Sequence, residues 1–69
     1  MPNIKVEMVA GRTIEQKRAL AKKLTEAFIE VAGGKPDSVQ VVFVEFEKQN
    51  WSKAGQLFSD RDAPPATST

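Results

Sequence analysis

The sequence predicts an α/β fold: a small β-α-β unit with parallel strands and a right-handed crossover helix, completed by oligomerisation. Three observations carry that prediction. Ile4, Val6 and Met8 alternate with Lys5 and Glu7, the period-two pattern of a strand covered on one face. Leu20, Leu24, Ala27, Phe28 and Val31 then recur at helical spacing and form one apolar stripe. Val39-Gln40-Val41-Val42-Phe43-Val44-Glu45-Phe46 follows, β-branched and aromatic, with almost no polar face. Strand, helix and strand in that order need a crossover, which makes the strands parallel and the connection right-handed.

Each element has its own punctuation. Pro2 opens the first strand and Ala10-Gly11 ends it. Thr13-Ile14-Glu15-Gln16 has the form of a capping box, so a helix is expected over about residues 13–32. Its other faces carry Glu15, Lys17, Arg18, Lys22, Lys23, Glu26 and Glu30, the composition of a solvated surface. Gly33-Gly34 stops the helix and Pro36 keeps it from resuming. Glu47 to Gly55 is polar around a single Trp51 and predicts a loop or short hairpin, with Gln56-Leu57-Phe58 as a brief further strand. Residues 1–59 form the domain; residues 60–69, with Pro64-Pro65 and small polar side chains, read as a flexible C-terminal tail.

A chain of 69 residues lies below the size at which one core is comfortably stable, and it has neither cysteine nor histidine to supply disulfides or the usual zinc ligands. Two parallel strands under one helix cannot cover both sheet faces. The second strand is nevertheless composed as if both were covered, so other subunits are expected to supply the missing layer. Ten basic residues against nine acidic ones give no excess suited to nucleic acid or an anionic membrane. No segment has the apolar length of a membrane span, and the N-terminus lacks signal-peptide regions. A cytoplasmic oligomer is the expectation.

The same composition excludes most catalytic sets. Nucleophile–base pairs built on His or Cys are impossible, and no glycine-rich phosphate loop opens a helix. The economical candidate is the nitrogen of Pro2. Removal of Met1 would expose a secondary amine; an ordinary α-amino group titrates near ~8. Apolar burial and a nearby cation would lower that value toward neutrality. Such an amine can move a proton alpha to a carbonyl, or attack a carbonyl to form an iminium. Arg12 is the second candidate, a planar fork suited to a carboxylate. A strand advances ~3.3 Å per residue, so Arg12 lies on the order of 25 Å from Pro2 of its own chain. A site using both is therefore expected between subunits.

With these residues in place, the chain resembles the 4-oxalocrotonate tautomerase family of small β-α-β proteins with an N-terminal catalytic proline. The resemblance rests on Met1-Pro2 before an alternating strand, Gly11-Arg12, Glu15-Gln16-Lys17 at the helix start, Ser38-Val39-Gln40-Val41 entering the second strand, and Trp51 beyond it. It covers about residues 2–58. It implies a cofactor-independent keto-enol tautomerase acting on a 2-hydroxy-dienoate or 2-keto acid, with Pro2 as general base and Arg12 binding the carboxylate. It further implies a hexamer with shared sites, substrate contacts from the backbone around Val9, and an aromatic wall from Trp51. No metal or cofactor is implied.

One position departs from the family pattern. Where well-studied members place a second arginine, this chain has Gln40, which can donate a hydrogen bond but cannot neutralise a carboxylate. The expectation shifts from a dicarboxylate such as 2-hydroxymuconate toward a monoacid enol. Trp51 has Asn50, Ser52 and Lys53 as neighbours and no acidic residue, which argues against the related hydratase-dehalogenases. Two alternatives stay open: an iminium-forming lyase or hydratase on the same proline, and a non-catalytic oligomeric or ligand-binding member of the fold.

Overall fold

The computed structural model describes residues 1–61. β1 (Asn3–Val9) leads to α1 (Ile14–Ala32), and β2 (Gln40–Phe46) returns beside β1. The two strands are parallel and in register from Asn3 opposite Gln40 to Val9 opposite Phe46. This is the expected β-α-β unit.

The capping box forms as the sequence required. The Thr13 backbone N–H donates to Gln16 Oε1 at 2.9 Å, and the Gln16 N–H donates to Thr13 Oγ1 at 3.1 Å. Two of the helix's orphan N-terminal donors are thereby satisfied. At the other end, the Gly33 N–H donates to the Ile29 carbonyl and closes the helix. A short 3-10 turn over Pro36–Ser38 then carries the chain into β2.

The stripe predicted on α1 is rotated in part. Leu24 and Phe28 are half-buried as expected, together with Lys17, Ala21, Thr25 and Ile29. Val31 is 87% exposed, and Ala27 also faces outward. The half-buried face is turned toward Thr25 and Ile29, which leaves Leu20, Ala27 and Val31 exposed on its other flank.

Beyond β2 the expected short hairpin is present: β3 (Ser52–Lys53) pairs antiparallel with β4 (Gln56–Leu57). Its two loop residues, Ala54 and Gly55, have φ of 54° and 79°. A two-residue turn matching strand twist needs a left-handed backbone at both positions; Gly55 adopts it freely and Ala54 with strain. Phe58, expected to continue the strand, instead opens α2 (Phe58–Arg61). Its N–H donates to the Trp51 carbonyl at 2.8 Å, which turns the chain back over the hairpin. Asp60 and Arg61, assigned above to the tail, belong to this helix. The rest of that segment, including Pro64-Pro65, lies outside the described residues.

Among the described residues none is buried. Ile4, Val6, Met8, Val41 and Phe43 pack under α1 yet remain half-exposed, and Val42 on the open sheet face is 39% exposed. The expectation that β2 is covered on both faces is therefore not met within one chain. A single helix shields only one side of a two-stranded sheet, and the apolar open side calls for further protein.

Candidate active site

Pro2 sits half-buried just before β1. Its carbonyl accepts the Gln40 N–H at 2.9 Å, which continues the ladder one residue beyond the strand. The Gln40 side chain turns to the same end, where Nε2 contacts Met1 Sδ at 3.1 Å. Pro2 and Gln40 are thus neighbours by strand register. While Met1 is attached the Pro2 nitrogen is a tertiary amide without basicity; its removal would leave an amine at the same end of the sheet as Gln40.

Val9, Arg12 and Trp51 lie at the opposite end of the sheet. The Ala10 N–H donates to the Phe46 carbonyl at 2.8 Å, holding the end of β1 against the end of β2. The Phe46 ring then meets Trp51 at a centroid distance of 5.7 Å, and Trp51 meets Phe58 at 6.3 Å. Both pairs are tilted, a favourable arrangement for ring quadrupoles. The Arg61 guanidinium lies 5.4 Å from the Phe58 centroid and closes the cluster from outside. Trp51 is consequently packed in the middle of an aromatic cluster.

Arg12 follows Gly11, whose φ of 138° is open to glycine and costly for other residues. That conformation swings the chain out of β1 toward the helix side. There Arg12 lines a cavity of about 160 Å³ with Met8, Gln16, Lys17 and Leu20. Lys17 also forms an ion pair with Glu45 of β2. Met8 and Glu45 are register partners and point to the helix side, whereas Val9 and Phe46 point to the open side. Arg12 and Trp51 therefore share one end of the sheet on different faces.

The five site residues predicted from sequence form no single cluster in one chain. Pro2 and Gln40 are together, Val9 and Trp51 are joined through Phe46, and Arg12 stands in its own cavity. Gln16, Lys17 and Glu45 were not anticipated as site residues. Lys17 and Glu45 lie 28 residues apart, so only strand register and the helix docking bring them into contact. No group of three or more metal-ligating side chains occurs among the described residues.

Comparison with known proteins decides the family. A family model described as tautomerase enzyme matches residues 2–61. The chain belongs to the tautomerase family. Its matched segment begins at Pro2 and runs through α2. The chain is 40% identical to the 2-hydroxymuconate tautomerase of Bacillus subtilis over 62 residues, covering 90% of this chain and all of that protein. A solved structure of 4-oxalocrotonate tautomerase isozymes from Methylibium petroleiphilum superposes with a TM-score of 0.84 at 35% identity, covering 87% of this chain and 94% of that one. A heterohexamer 4-oxalocrotonate tautomerase from Chloroflexus aurantiacus gives a TM-score of 0.81 at 25% identity, over 86% and 95% of the two chains. Family membership supports tautomerase, isomerase-class activity for this chain. No helix of the described residues is long and apolar enough to cross a membrane.

Proposed function

We propose that this tautomerase interconverts the enol and keto forms of a small monocarboxylate, a 2-hydroxy-dienoate or 2-keto acid, at sites shared between subunits of a homohexamer. The observation that carries the reading is the placement of Pro2 and Arg12 at opposite ends of the seven-residue β1. At ~3.3 Å per residue the strand holds them on the order of 25 Å apart. One small substrate can touch both only if a second subunit lies antiparallel to the first and brings its Arg12 to the neighbour's Pro2. The half-covered sheet and the hexamer named for a related enzyme support the same arrangement.

In this site the freed Pro2 amine takes the proton of the substrate's 2-hydroxyl and returns it to a carbon of the same dienol. No atom is gained or lost, and the amine ends as it began. Arg12 of the neighbouring subunit holds the carboxylate through paired N–H groups and withdraws charge from the adjacent oxygen. The backbone around Val9 orders a water or substrate oxygen, and the Trp51 wall excludes bulk water. Gln40 offers a neutral hydrogen bond beside the base, which disfavours a second carboxylate there relative to an uncharged chain end.

Two measurements test the role of Pro2. The intact mass of the native protein shows whether Met1 is removed; if it is retained, the nitrogen stays an amide and the protein is a ligand-binding member of the fold. Pro2→Ala should preserve the oligomer and lower tautomerase turnover at least ~10-fold. Unchanged turnover would rule out Pro2 as the base.

A further inference from the structure

The cavity lined by Arg12 holds more donors than one arginine. At about 160 Å³ it is below the ~300–1,000 Å³ of pockets that enclose drug-sized ligands, a size suited to a small acid. Met8 and Leu20 supply the apolar wall. Gln16 also lines it, and the capping box uses that side chain's oxygen, so its NH2 takes no part in the cap. Lys17 completes the lining, and Glu45 engages one of its three ammonium donors. The Lys17 and Glu45 side chains are 27% and 31% exposed, open enough that their pairing adds little to stability. The pair does fix the ammonium at the cavity wall.

We propose that Lys17 is a second carboxylate-binding residue, acting with Arg12 on the same end of the substrate. Its two remaining N–H groups donate to a carboxylate seated on the Arg12 fork, and Glu45 both orients the ammonium and competes for it. This supplies, on the helix side, a second cation that the neutral Gln40 does not provide near Pro2. The inference rests on the proposed binding of an acid by Arg12, and it assigns Lys17 a role for which its place on a charged helix gave no signal.

Calorimetric titration of the full-length oligomer with 2-oxobutanoate and with its neutral methyl ester tests the assignment. Lys17→Met should weaken binding of the acid roughly tenfold and leave the ester unaffected, and Lys17→Arg should restore the acid. Glu45→Gln frees the ammonium and should tighten binding of the acid. An ion pair that merely braces the helix predicts the reverse symmetry: both variants break it, and both weaken acid and ester alike. That pattern, or unchanged acid binding in Lys17→Met, overturns the proposal. Displacement by inorganic phosphate as readily as by a second carboxylate would overturn the carboxylate class. Because binding is read without turnover, the titrations can be repeated in Pro2→Ala. Loss of turnover there with the opposite effects of Lys17→Met and Glu45→Gln intact supports the two roles separately, whereas unchanged turnover counts against the base alone.

Discussion

At the scale of single residues, two side chains decide what the site can accept. Arg12 is held outside β1 by the glycine before it and lines a cavity of about 160 Å³ on the helix side. Replacing Arg12 with Ala should raise KM for an acidic enol by about tenfold or more, the worth of a lost charge-assisted pair, and leave a neutral enol little changed. An equal effect on both substrates would count against carboxylate recognition. Gln40 lies next to Pro2 because the two are joined through the strand ladder, not because of its side chain. Gln40→Arg should therefore keep the backbone and improve kcat/KM for 2-hydroxymuconate relative to 2-hydroxy-2,4-pentadienoate by roughly tenfold. Steady-state kinetics with the two substrates on one preparation measure that ratio directly. Pro2, Arg12 and Gln40 could all be singled out in the sequence, since each is a residue type with a definite chemistry in a definite place. Lys17 could not, because it stands among six other charged helix residues and its distinction is a contact 28 positions away.

At the scale of elements, β1, α1 and β2 were legible because each satisfies a local rule. Alternation makes the first strand, the capping box and apolar spacing make the helix, and a β-branched run makes the second strand. The region after Phe46 was less legible. Its hairpin depends on a turn in which Ala54, an ordinary L-residue, takes a left-handed backbone. Nothing in the residue type announces that; the pairing of β3 with β4 on either side of it closes the turn. Ala54→Asn replaces it with a residue more tolerant of this conformation and should stabilise the protein by about 0.5–1 kcal/mol, read from urea unfolding at fixed protomer concentration. A destabilisation would mean that Ala54 is held by packing that the larger side chain disturbs. Phe58 gave the opposite error. Its aromatic type suggested a strand, but its N–H is tied to the Trp51 carbonyl and its ring packs against the indole, so it begins a helical turn instead.

At the scale of the molecule, the lack of any buried residue among those described means that one chain does not complete its own core. Folding and assembly should then be coupled. The melting temperature should rise with protomer concentration, and dilution should lose turnover and far-ultraviolet circular dichroism together. A concentration-independent melt, or a folded active monomer, would contradict shared sites. By itself the sequence determined the β-α-β order, the helix cap, the candidate base and its candidate anion-binding partner, because those depend on local periodicity and residue chemistry. It also determined that Pro2 and Arg12 cannot meet within one chain, since strand length is set by the backbone. Only the tertiary structure decided which residues surround each of them. Strand register put Gln40 beside Pro2, docking of α1 put Lys17 at the Arg12 cavity and against Glu45, and the return of α2 packed Phe58 onto Trp51. Those are contacts between distant parts of the chain, and their geometry exists only once the strands are paired and the helix is laid across them.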